Sequence, residues 1–311
     1  MANSNETSNF TGIWNREENS DKINEVANKL GEEQTPLGAV NFNKKNKTWG
    51  VSSALLTFAA FLGLQVVLAI GLIVAVGPYN TMEALTNPAF LLLSSLSMYV
   101  VWIGGMYLVT KFRGQNSFKL DFKVWFKKWD VFIGLGIAAG LYGVVLLSQW
   151  LLGDVLGVDL TGSDNGATFT NLEGVWFLIL GIGVASILGP ISEELFFRGF
   201  ILNAIIKTAD NQSEKIKEQK LDEYEAPVLI KFNRLVQKFK VPLAVIVSSI
   251  VFGLMHFQGV DTFGQWYVVI VTGTLGLVFG IAAVKFKRIG PGIFAHMFYN
   301  GATLLLAVFL S

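Results

Sequence analysis

The chain has 311 residues, 52% of them hydrophobic and only 15% charged, with a mean hydropathy of +0.51. That balance excludes an ordinary soluble domain and points to a chain that crosses a bilayer several times. A formal net charge of +1 gives no reason to expect nucleic acid as a partner, and the lack of cysteine excludes disulfides and thiolate metal sites.

Residues 1–48 are polar and rich in Asn, Glu and Lys, with too few large apolar groups to bury a core. They read as a flexible cytosolic arm. The first residues lack a basic stretch followed by an apolar one, so no cleaved signal peptide is expected. Residues 49–311 read as a membrane domain.

Seven apolar segments follow, near 50–77, 88–110, 131–153, 174–206, 241–257, 266–284 and 290–310. A span needs about 20 residues, so the fifth is short and the fourth long. The expected fold class is an all-α polytopic membrane helix bundle of seven transmembrane helices, or eight if the long segment is split, with a catalytic cavity within the membrane. Pro190, after Gly189, is expected to bend or break the fourth segment and to open a polar cavity there.

Lys and Arg are confined to alternate connections. They fill the arm, the second connection (Lys111 to Lys128), the fourth (Lys207 to Lys240) and the sixth (Lys285, Lys287, Arg288), and the only other one is Arg198. The connections near 78–87, 154–173 and 258–265 have none. By the positive-inside rule this predicts a multi-pass protein of the cell membrane with a cytosolic N-terminus and a C-terminus outside.

Two cytosolic connections have patterns of their own. Over 118–129, Phe118, Phe122, Trp125 and Trp129 share one helical face, and Lys119, Lys123 and Lys127 another, which predicts a helix lying in the membrane interface. Residues 208–240 mix charges with an apolar stripe of Ile230, Leu235 and Phe239, which predicts a helical cytosolic insertion.

Inside the apolar segments lies Ile191-Ser-Glu-Glu-Leu-Phe-Phe-Arg198, three charges at membrane depth. Such charges cost about 2.5 kcal/mol or more each and mark a site by default. The only two histidines, His256 and His296, also lie in apolar segments. Counted from Lys207, Glu193 lies about 21 Å into the fourth segment; counted from Val241, His256 lies about 22 Å into the fifth, at 1.5 Å per residue. The two are therefore expected to meet. Glu194 and Arg198 are four apart and predict an ion pair on one face, which leaves Glu193, about 100° away, unpaired. His296 and Asn300 are also four apart, with donors facing one way, and Phe252 shares a face with His256.

This set suits hydrolysis. Glu193 and His256 can hold and deprotonate a water, and His296 and Asn300 can accept an oxyanion. Glu194, Arg198 and Phe252 are then supporting residues. No cofactor is required. The rival is zinc held by Glu193, His256 and His296, although the His-Glu-x-x-His helix pattern is absent.

Three motifs, Glu193-Glu194-Leu-Phe-Phe-Arg198, Phe252-Gly-Leu-Met-His256 and His296-Met-Phe-Tyr-Asn300, resemble in type and order those of the CPBP family. That family comprises type II CAAX prenyl endopeptidases and bacteriocin-processing enzymes, also called the abortive-infection family. The resemblance covers about residues 175–305, the expected catalytic core. It implies an intramembrane glutamic endopeptidase that cleaves a peptide bond near the cytosolic side of the membrane, with Glu193 and His256 activating water and His296 and Asn300 forming the oxyanion hole. The expected partners are a peptide or membrane-protein substrate and the lipid bilayer. Two features depart from the family pattern: the long gap between the first two motifs, and seven expected spans where prenyl-processing members have eight. The alternative is a non-catalytic immunity or scaffolding protein of the same fold. A proton-coupled carrier ranks behind both, because no inverted repeat is present.

Overall fold

The computed structural model describes residues 49–77, 87–161, 163, 172–219, 224, 226–257 and 262–310. The chain divides into Met1–Asn46 and Lys47–Ser311, and the architecture below is that of the second unit. The expectation for the arm falls outside the described residues.

Eight helices and no strand occur among the described residues. They are α1 (Val51–Val76), α2 (Pro88–Arg113), the short α3 (Phe118–Phe122), α4 (Asp130–Val155), α5 (Gly174–Glu218), α6 (Pro227–Leu254), α7 (Phe263–Phe286) and α8 (Gly290–Leu310). All but α3 are long and apolar enough to cross a membrane, so there are seven candidate spans, as expected. The starts are legible locally. Asn87 accepts from the Ala89 N–H at 2.9 Å just before Pro88, and Thr262 accepts from the Gln265 N–H at 3.2 Å.

The spans expose many large apolar side chains, among them Leu56, Val67 and Val74 on α1 and Leu147 on α4. In water these would have no rationale; in a bilayer they are the lipid-facing surface. What holds the helices together is close packing and a few polar bonds. Gln65 of α1 is bonded to Ser94 and Ser97 of α2 at 2.8 and 2.9 Å. Gly253 of α6 faces Gly273 of α7, where an added Cβ would lie 3.0 Å from the Gly273 Cα. The core is aromatic: Trp102 stacks on Phe196 at 4.3 Å, and Phe197, Phe200, Phe122 and Trp49 close around them.

Helix α5 is not broken at Pro190. It runs through from Gly174 to Glu218, but its pitch changes. Phe177–Leu188 and Leu195–Ile201 are π-helical, and the α-helical turn Gly189–Glu194 lies between them. The missing N–H of Pro190 falls in the first turn of the α-helical stretch, where the pitch changes. Side chains bond carbonyls of the π stretches. The Asn203 amide donates to the Arg198 and Gly199 carbonyls, and the Ser248 hydroxyl to that of Phe197.

The segment 118–129 is not one interfacial helix. Helix α3 ends at Phe122, Lys123 is left-handed with φ 57°, and Phe122 is fully buried. The reason is Asp121. Its carboxylate accepts from Trp49 Nε1 (2.9 Å), Lys207 Nζ (3.0 Å), Thr110 Oγ1 (2.5 Å) and the Gln115 N–H (2.7 Å), and this draws the segment inward. Burial alone would push the Asp121 carboxyl up, but the Lys207 ammonium and these hydrogen bonds outweigh it and hold it below its ordinary value. Burial, with Lys207 nearby, pushes the Lys123 amine down.

The stretch 208–240 is carried by the ends of two spans. Helix α5 continues to Glu218, and α6 starts at Pro227 instead of Val241. The two arms are linked by Lys240 to Asp210, Gln237 to the Ala209 carbonyl, and Asn233 to Ser213.

Candidate active site

The glutamate pair lies at the end of the α-helical turn of α5, where the second π stretch begins. Wide helical turns of this kind often mark functional sites. Consecutive residues on a helix diverge, and the two carboxylates have different surroundings. Glu194 is fully buried, whereas the Glu193 side chain keeps 20% of its surface exposed.

Glu194 Oε1 lies 2.8 Å from Arg198 Nη1, the pair expected from the four-residue spacing. The short distance is not matched by alignment. Both Glu194 oxygens and all three Arg198 nitrogens lack a well-aligned hydrogen-bond partner among the described residues. Charge attraction in a dry interior holds the pair. The Arg198 guanidinium lies 4.4 Å from the centre of the Phe252 ring, with Phe279 and Phe197 at 5.6 and 5.8 Å, so aromatic faces surround the cation. Two glycines make room. A Cβ on Gly276 would lie 2.9 Å from Arg198 Nη2, and one on Gly292 would lie 2.9 Å from Glu194 Oε2.

His296, 4% exposed, stands between the carboxylates. Its Nδ1 is 3.3 Å from Glu194 Oε1 and its Nε2 is 3.8 Å from Glu193 Oε2. Its Nδ1 has no well-aligned hydrogen-bond partner among the described residues, so the approach to Glu194 is one of proximity. Phe252 and Phe279 flank the ring at 5.7 and 5.3 Å.

The direct pairing of Glu193 with His256 does not form. His256 lies in the turn just beyond the end of α6 and makes no ion pair within 4.0 Å of either glutamate. The depth count started α6 at Val241, whereas the helix begins at Pro227 and ends at Leu254. His256 Nδ1 lies 2.8 Å from the Phe252 carbonyl oxygen, and its ring packs 4.8 Å from the Phe252 ring. Because that carbonyl only accepts, the hydrogen sits on Nδ1 and Nε2 carries the lone pair. Asn300 is on α8 one turn beyond His296, and its Nδ2 donates to the Ala185 carbonyl of the first π stretch at 2.9 Å. One amide hydrogen is thereby engaged and a second remains.

Among the described residues, no group of three or more His, Asp or Glu side chains is gathered as a metal would require.

Sequence reasoning missed several residues here. Gly276 and Gly292 carry no chemical signal, because their role is the space they leave. Phe279 reads as one more apolar residue of a span. Tyr99 of α2 has its hydroxyl beside Gly189, within 3.4 Å of where a Cβ there would be; Glu193 Oε1 is 3.8 Å from the same point. Nothing in the local pattern of α2 marks it.

Residues 174–302 match the family model described as "Type II CAAX prenyl endopeptidase Rce1-like". The match spans all three motifs. A protein of Bacillus subtilis (strain 168) named "Putative membrane peptidase YdiL" is 25% identical over 180 residues, which cover 56% of this chain and 57% of that one. The chain thus spans little more than half the length of that relative. No solved structure matches. The resemblance to the CPBP family carried by the three motifs is supported by these two matches.

Proposed function

We propose that the protein is an intramembrane endopeptidase in which Glu193 acts as general base on a water molecule. The carrying observation is the division of the glutamate pair. Glu194 is sealed against Arg198, while Glu193 stays partly open, with His296 its near neighbour at 3.8 Å. Of the two carboxylates, the partly open one is the one a water can reach.

The water sits between Glu193 and the free Nε2 of His256, so the two need not touch each other. Glu193 takes a proton as the oxygen adds to the scissile carbonyl carbon. The resulting oxyanion is held by the second amide hydrogen of Asn300, with His296 as the neighbouring donor. The C–N bond then breaks, and the proton passes from Glu193 to the leaving amine. Phe252 links the parts: its carbonyl orients His256, and its ring covers Arg198. The substrate is a peptide or membrane protein in the bilayer, approached from the cytosolic side that the Lys and Arg distribution marks. The mechanism uses no metal, and a chelator is expected to leave cleavage unchanged.

The test is cleavage by the purified protein in liposomes, followed by mass spectrometry of a membrane-anchored peptide library. Glu193→Gln should lower the rate by a factor of about 10²–10⁴, the usual worth of a general base, with an unchanged unfolding midpoint. Full activity in that variant overturns the proposal.

A further inference from the structure

Between α6 and α7, near the end of the bundle that carries the basic connections, lies a groove of about 370 Å³. It is lined by Val241, Pro242, Val245, Ile246, Leu277, Ile281 and Val284, and a single charged residue, Lys285, stands at its edge. That volume falls in the range of ligand clefts, about 300–1,000 Å³. Two features of the sequence create it. Pro242, inside α6, adds no long side chain, and Gly280 lets α7 come close to Val245 behind the groove.

We infer that this groove seats one acyl chain of an anionic phospholipid, with the headgroup held by Lys285. Charge complementarity selects the occupant. Neither α6 nor α7 contains an acidic residue. Lys285 is in the last turn of α7, Lys287 follows it, and Lys238 lies one turn before Pro242; all three are exposed. Lys240 differs, because it is paired with Asp210 and bonded to Gln237. The groove thus offers an apolar slot for a chain and, in Lys285, one ammonium group with no acidic partner among the described residues. A zwitterionic lipid would fill the slot equally well but would gain little from the lysines.

The test uses the full chain in nanodiscs of phosphatidylglycerol and phosphatidylcholine, equimolar and with identical acyl chains. Lipids retained after transfer to detergent are counted by native mass spectrometry. The wild type should retain phosphatidylglycerol over phosphatidylcholine by about fivefold, the preference expected of one well-placed lysine. Lys285→Gln should bring the ratio near one, and Ile281→Trp, which fills the slot, should lower retention of both lipids. Lys217→Gln, an exposed lysine at the end of α5, should change neither. Each variant is compared at a matched unfolding midpoint, so that loss of lipid is not loss of fold. Equal retention of the two lipids by the wild type, an unchanged ratio in Lys285→Gln, or full retention in Ile281→Trp overturns the inference.

Discussion

At the scale of single residues, the ion pair Glu194–Arg198 carries the largest energetic stake. Both side chains are fully buried, and removing one partner leaves a bare charge in a dry interior. Arg198→Met alone should destabilise the protein by about 3–5 kcal/mol, measured by chemical unfolding in detergent. Adding Glu194→Gln to that variant should recover a large part of the loss, because the orphaned charge is gone. If the double variant proves less stable than Arg198→Met, the pair contributes by shape rather than charge. Arg198→Lys should also be costly, since an ammonium cannot spread over the Phe252, Phe279 and Phe197 faces as a planar guanidinium does. The pairing of Glu194 with Arg198 was legible in the sequence because a helix fixes which residues meet at a separation of four. The neighbour of Glu193 was not, because it comes from α8.

At the scale of helices, the site depends on small residues where α7 and α8 pass α5. Gly276→Ala would place a methyl 2.9 Å from Arg198 Nη2 and 3.0 Å from a Phe252 ring carbon. The expected cost is about 1–3 kcal/mol from overpacking, read as a lower unfolding midpoint. Gly136→Ala on α4, where an added Cβ meets nothing within 4 Å, is the control and should leave the midpoint unchanged or raised. The same comparison explains which element predictions held. All seven spans were readable, because hydrophobic length is a one-dimensional property of the chain. The interfacial helix over 118–129 was not, because a buried carboxylate with four donors overrides a local amphipathic pattern. The pitch changes of α5 were hidden as well, since partners on other helices, such as Ser248, take up carbonyls of those turns.

At the scale of the whole molecule, Asp121 joins four parts of the chain: Trp49 before α1, Thr110 of α2, its own short helix and Lys207 of α5. Its carboxyl titrates below its ordinary value in the folded state. A depressed carboxylate contributes stability that is fully present above the unfolded value, about pH 4, and is lost as pH falls through the folded value. Wild-type unfolding midpoints should therefore drop as the medium is acidified below about pH 4. Asp121→Asn should be less stable at neutral pH and show a shallower acid loss. Parallel acid profiles for the two would show that the junction is not an electrostatic one.

By itself the sequence determined the fold class, the number of spans and the identity of the polar residues within them. Those follow from composition, hydrophobic length and helical spacing, which need no knowledge of neighbours. Tertiary structure alone decided which polar groups meet. It brought His296 within 4 Å of both glutamates while His256 makes no ion pair with either, sealed Glu194 while leaving Glu193 open, and drew Asp121 inward. The physical reason is that a helix fixes the direction of its side chains relative to its own axis only. Rotation and depth against other helices are set by packing, by where a helix such as α6 begins, and by glycines that decide how closely two backbones approach.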